Sequence, residues 1–105
     1  MTEKAFNNWR HNAIHLTFPN GNSLSTTWAY GSYSDNYDMD DVSTAEHWNT
    51  FRPSDTVEIM ILKASEELEK EIKKKYDFED VKGYVTMTEW LDIVRMLSEE
   101  AEELE

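Results

Sequence analysis

The sequence predicts a small α+β fold. A small antiparallel β-sheet, a β-hairpin plus one or two further strands, packs against a C-terminal amphipathic helix, and a charged helix lies between the later strands. Three observations lead there. Residues 12–30 alternate apolar and polar side chains on either side of a Pro-Asn-Gly turn. Residues 56–63 read as a strand. Residues from 86 onward open with a capping box and continue with apolar side chains at helical spacing. No repeat and no linker interrupts the 105 residues, so residues 1–105 read as a single domain.

Each element follows from local chemistry. Residues 1–11 are polar with scattered aromatics, Phe6 and Trp9, and read as a short helix or an arm. In the hairpin, Ile14, Leu16 and Phe18 alternate with Ala13, His15 and Thr17. After the turn, Leu24, Thr26, Trp28 and Tyr30 alternate with Ser25, Thr27 and Ala29. Pro19 presets φ for the first turn position, Asn20 suits the second, and Gly21 accepts the positive φ that follows. A three-residue loop with a G1 bulge sets Leu16 opposite Leu24 and Ile14 opposite Thr26, so both apolar rows share one face. A two-residue Asn-Gly loop would put them on opposite faces. Residues 31–55 are polar and turn-rich, with a capping-box pattern, Ser43-Thr44-Ala45-Glu46, that predicts a short helix ending before Pro53.

In residues 56–63, Val57, Ile59 and Ile61 form one face, and Met60 with Leu62 makes the other partly apolar. That pattern predicts an inner strand covered on both sides. Residues 65–76 predict a helix with Ser65 as N-cap, acids first and lysines last, and i,i+4 pairs Glu66–Lys70, Glu69–Lys73 and Glu71–Lys75. Its apolar stripe is only Leu68, Ile72 and Tyr76. Residues 80–85 read as a short extended segment or edge strand in which Gly83 marks a bulge. The last helix starts at the capping box Thr86-Met87-Thr88-Glu89 and carries Trp90, Leu91, Val94, Leu97, Ala101 and Leu104 as its stripe. The carboxylates at its negative end predict fraying there.

Composition narrows the function classes. The net charge is -12, which disfavours direct binding to nucleic acid phosphates and docking on anionic membranes. It favours basic partners. There are no cysteines, so disulfides, thiolate nucleophiles and cysteine zinc sites are excluded. No apolar leader and no membrane-spanning run is present, which makes the cytoplasm of a cell the expected location.

Asp35, Asp38, Asp40 and Asp41 could offer oxygen ligands to a hard cation. They lack the EF-hand glycine and distal glutamate, so a solvated acidic loop is the better reading, with no metal and no cofactor expected. His11, His15 and His47 do not form a ligand set. There is no nucleophile elbow and no glycine-rich phosphate loop, and the chain reads as a non-enzyme. The acidic C-terminal helix and the loop could instead mimic DNA, although acidic faces also simply keep small proteins soluble. Trp28, Tyr30, Tyr33, Tyr37 and Trp48 bracket the loop after the hairpin. Trp28, Trp48 and Trp90 are expected in the core, and Tyr33 and Tyr37 stay open. The candidate interaction surface is therefore Tyr33, Asp35, Asn36, Tyr37, Asp38, Asp40 and Asp41.

These residues also carry a resemblance. Phe18-Pro19-Asn20-Gly21, Leu24-Ser25 and Trp28-Ala29-Tyr30-Gly31-Ser32-Tyr33-Ser34-Asp35-Asn36 resemble a pattern in small uncharacterised bacteriophage proteins, where a hairpin with an Asn-Gly turn leads into a Gly-x-Tyr-Cys-x-Asn loop. Thr56-Val57-Glu58-Ile59-Met60-Ile61 matches a later strand of that pattern. Val81-Lys82-Gly83-Tyr84-Val85-Thr86, followed by Glu89 and an amphipathic helix, matches its close. The likeness covers about two-thirds of the chain, in order. Ser34 stands where those proteins have cysteine, so no metal or redox role of that cysteine carries over, and the helix around Glu66 to Lys75 looks like an insertion. The resemblance implies a phage accessory protein acting in the host cytoplasm, and brings no activity, cofactor or catalytic residue. The resulting expectation is a non-enzymatic protein-binding factor whose partner is a host or phage protein. The alternative is an acidic DNA-mimic-type inhibitor of a host nucleic-acid enzyme, anti-restriction or anti-CRISPR. A homodimer through the hairpin edge or the C-terminal helix is compatible with either.

Overall fold

The computed structural model describes residues 6–7, 12–28, 33–34 and 53–101. Among them, strands β1 (Phe6–Asn7), β2 (Ala13–Thr17), β3 (Ser23–Thr27), β4 (Thr56–Lys63) and β5 (Val81–Thr86) form one antiparallel sheet in chain order. Helix α1 (Glu66–Tyr76) connects β4 to β5, and α2 (Met87–Glu99) follows β5 directly. This is the expected small α+β fold. Of the N-terminal segment, expected as a helix or an arm, Phe6 and Asn7 are described: they pair with Leu16 and His15, using backbone groups that the edge of β2 would otherwise leave open. The helix expected at 43–51 lies outside the described residues.

The hairpin has the register its turn demands. Leu16 faces Leu24 and Ile14 faces Thr26. The Phe18 carbonyl accepts the Gly21 N–H, the Phe18 N–H donates to the Asn22 carbonyl, both at 2.8 Å, and Gly21 has φ +92°. One sheet face thus gathers Leu24, Ile59, Ile61 and Val85, onto which Leu68 and Ile72 of α1 and Ile93 and Leu97 of α2 pack as a single buried cluster. Burial of these aliphatic side chains is the main stabilising contribution, about 1.5–3 kcal/mol each before conformational entropy is subtracted.

The opposite face is not covered along its whole length. β4 is an inner strand, between β3 and β5, but Met60 and Leu62 are each 45% exposed. The expectation of cover on both sides fails there, because both helices lie on the Ile59 face. Leu62 falls where the β3–β4 register shifts, since Leu24 pairs with Ile61 and Ser23 with Lys63.

α1 is capped as its sequence indicates: Ser65 Oγ accepts the Leu68 N–H, and Asp77 turns left-handed (φ 55°) to close the helix. Two of the three expected ion pairs form, Glu66–Lys70 at 3.5 Å and Glu69–Lys73 at 3.1 Å. Lys75 reaches instead to Asp92 of α2, at 2.7 Å. In α2 the capping box of Thr86 and Glu89 is complete. Its inward stripe is Trp90, Ile93, Val94 and Leu97. Leu91, expected in that stripe, is 53% exposed, whereas Ile93 is fully buried. The helix ends at Glu99, short of the expected run to Leu104, and residues 102–105 lie outside the described residues.

Candidate functional site

Of the sequence-predicted surface, Tyr33 is described; Asp35, Asn36, Tyr37, Asp38, Asp40 and Asp41 lie outside the described residues. Tyr33 sits over a bulge in β5. Val57 pairs with Val85 and Ile59 with Lys82, so Gly83 and Tyr84 together oppose Glu58. The residue with positive φ in this bulge is Tyr84 (φ 52°), not Gly83. Gly83 answers a different need: a Cβ there would fall 2.4 Å from Tyr33 Cβ. The Tyr84 N–H donates to the Tyr33 carbonyl at 2.7 Å, and the Tyr33 N–H donates to Glu58 Oε2 at 3.2 Å. Strand alternation places Glu58 and Gly83 on the face away from the core, so Tyr33, 47% exposed, lies on that face too. Met60 and its cross-strand neighbour Val81 continue it, followed by Leu62, all exposed. The buried Ser34 follows Tyr33 directly.

The core face carries a concave feature. Beyond the packed cluster, at the N-terminal end of α2, a cleft of about 270 Å³ opens between Trp28 and Trp90. Both tryptophans are half-buried and line the cleft, so the expectation of core positions holds only in part; Trp90 also packs against the buried cluster. Trp90 is oriented by its Nε1–H, which donates to the buried Thr26 hydroxyl at 2.9 Å. Val57 and Val85 are among the cleft's apolar lining, and Asp55 is the one charged residue among the described residues of the lining. The sequence held no pointer to this cleft, because each tryptophan taken alone fits a core position.

A third cluster joins three elements. Asn20 Nδ2 donates to the carbonyls of Leu97 and Glu100, both at 2.8 Å, and Asn22 Nδ2 donates to the Leu97 carbonyl at 2.9 Å and to Glu100 Oε1 at 3.1 Å. The hairpin loop thereby caps the C-terminus of α2, where the last turn has no basic residue. Glu100 Oε2 accepts the hydroxyl of Ser65, tying this end to the start of α1. Those donors, Ser65 first and then Asn22, hold the Glu100 carboxyl below its ordinary range. Glu89 is lowered mainly by the Thr86 backbone N–H. Asp92 is lowered by Lys75, the Tyr76 hydroxyl and Arg95. The Tyr76 phenol is pushed up to about 12, by burial first and then by its hydrogen bond to Asp92.

On the helices several carboxylates are paired with bases: Arg95 contacts both Asp92 (2.8 Å) and Glu99 (3.1 Å), alongside the lysine pairs of α1. Among the described residues no three His, Asp or Glu side chains are grouped to hold a metal ion. No described helix is long and apolar enough to cross a membrane. No protein-family model matches the chain, and neither does any curated protein or solved structure.

Proposed function

We propose that this chain is a non-enzymatic bacteriophage accessory protein that acts in the host cytoplasm by binding another protein through the open face of its sheet. The observation that carries the binding reading is the exposed row Met60, Val81 and Leu62, continued by Tyr33, on a sheet face that the two helices leave uncovered. Exposed apolar side chains grouped on one surface mark interaction sites more often than scattered ones do, and aromatic residues dominate interface energetics. The phage origin rests on the resemblance of the hairpin and the Tyr33–Ser34 loop. The DNA-mimic alternative needs carboxylates on one continuous face. The ion pairing of carboxylates with lysines and Arg95 on α1 and α2 weighs against it on the helix surface.

The test is a comparison of two tagged chains in phage-infected cells, the wild type and Met60→Thr/Leu62→Thr. Threonine keeps the strand preference while removing the apolar tips, and at exposed positions the effect on stability should stay within about 0.5 kcal/mol per site. The reading predicts a protein recovered with the wild type and lost with the variant, while both chains melt alike. Equal recovery by both chains, or recovery of nothing above background, refutes it.

A further inference from the structure

We propose that the cleft between Trp28 and Trp90 is a receptor for one arginine side chain of a partner polypeptide, with Asp55 taking the guanidinium. The cleft's volume, about 270 Å³, falls just below the usual range for small-molecule sites, about 300–1,000 Å³. It therefore fits a single side chain better than a cofactor. Two tryptophans are in its lining, and the Trp90 N–H is already engaged by Thr26, so this ring has apolar surface to offer rather than a donor. A guanidinium stacks on such surfaces and is less strongly hydrated than an ammonium.

Charge selects the same ligand. Asp55, the one charged residue of the lining among the described residues, is exposed beside Ser54. A carboxylate has about four acceptor positions and can receive a guanidinium in a two-pronged contact in addition to other hydrogen bonds. An anion is disfavoured, although α2 begins at the cleft. The positive pole of this helix is answered by its own capping box, in which the Glu89 carboxylate accepts the Thr86 N–H at 3.0 Å. The net charge of -12 draws basic partners toward the molecule as a whole.

The inference rests on the protein-binding reading only for the source of the arginine. The cleft lies on the core side of the sheet, opposite Met60 and Leu62, and its test uses neither residue. The full chain is titrated with N-acetyl-arginine amide, with the corresponding lysine compound and with the neutral citrulline analogue, while the indole N–H signals are followed by NMR. The expected result is a saturable shift of the Trp90 signal with arginine, with affinity about tenfold lower for citrulline, the loss expected when one charge-assisted hydrogen-bonded contact disappears. Asp55→Asn should weaken arginine binding to the citrulline level, and Asp55→Glu should retain most of it. Higher ionic strength should weaken the arginine complex alone. Equal binding of citrulline, binding of lysine as tight as arginine, an Asp55→Asn chain that binds like the wild type, or no shift at Trp90 would each overturn the assignment.

Discussion

Replacing Asn20 tests whether the hairpin loop holds the end of α2. In the wild type its Nδ2 bridges two helix carbonyls at 2.8 Å, and its Oδ1 accepts the Asn22 N–H at 2.9 Å. Three hydrogen bonds at about 1 kcal/mol net each set an upper bound near 3 kcal/mol. The Leu97 carbonyl keeps its bond from Asn22, and water can reach these part-buried groups, so Asn20→Ala should cost about 2 kcal/mol. For a domain of this size that is a fall in melting temperature of about 10 °C. Asn20→Asp keeps the acceptor but turns a carboxylate toward two carbonyls, the negative pole of α2 and Glu100. It should cost a further 0.3–1 kcal/mol or more, about the size of a charge–dipole effect. That excess has a definite pH dependence. The introduced carboxyl has a raised pKa in the folded state, so the excess over Asn20→Ala is absent well below the unfolded value of about 3.9 and grows as pH rises through and beyond it. Urea unfolding of both variants across this range measures it, and amide exchange of the last α2 turn should accelerate in each. If Asn20→Asp is as stable as Asn20→Ala at neutral pH, the loop does not cap the helix.

Three further outcomes follow from contacts elsewhere. Gly83→Ala would bring a methyl group to 2.4 Å from Tyr33 Cβ; displacing Tyr33 should cost about 1–3 kcal/mol in equilibrium unfolding, and a change under about 0.5 kcal/mol contradicts the close approach. The Glu100 carboxyl lies below its unfolded value, so its contribution is complete above about pH 4.3 and is lost as pH falls through the folded pKa. Glu100→Gln should therefore flatten the acid limb of the stability curve, leaving the part due to Glu89 and Asp92; an unchanged limb refutes the linkage. Of the five tyrosines, Tyr76 should ionise near 12, and an absorbance titration of Tyr76→Phe should lack that late step.

The elements that depend on neighbouring residues were legible in the chain alone. Pro19, Asn20 and Gly21 dictated a three-residue turn, and the turn with the alternation of Ile14, Leu16, Leu24 and Thr26 dictated the register. Ser65 and Thr86 marked both helix starts, because a cap acts within three residues of itself. Which face each remaining side chain meets depends on how the helices pack on the sheet. Leu91 and Ile93 are both apolar and two positions apart on a helix, and it is the placement of α2 over Ile59 and Val85 that buries one and exposes the other. Lys75 had a partner in sequence, Glu71, and found a better one across the helix pair in Asp92. Asn20 and Asn22 were fully accounted for by turn chemistry, so nothing local revealed that their amides reach a helix end more than seventy residues away. The Trp28–Trp90 cleft and the uncovered row of Met60, Val81 and Leu62 have the same origin. Both are properties of surfaces that exist only once the helices have chosen a single side of the sheet.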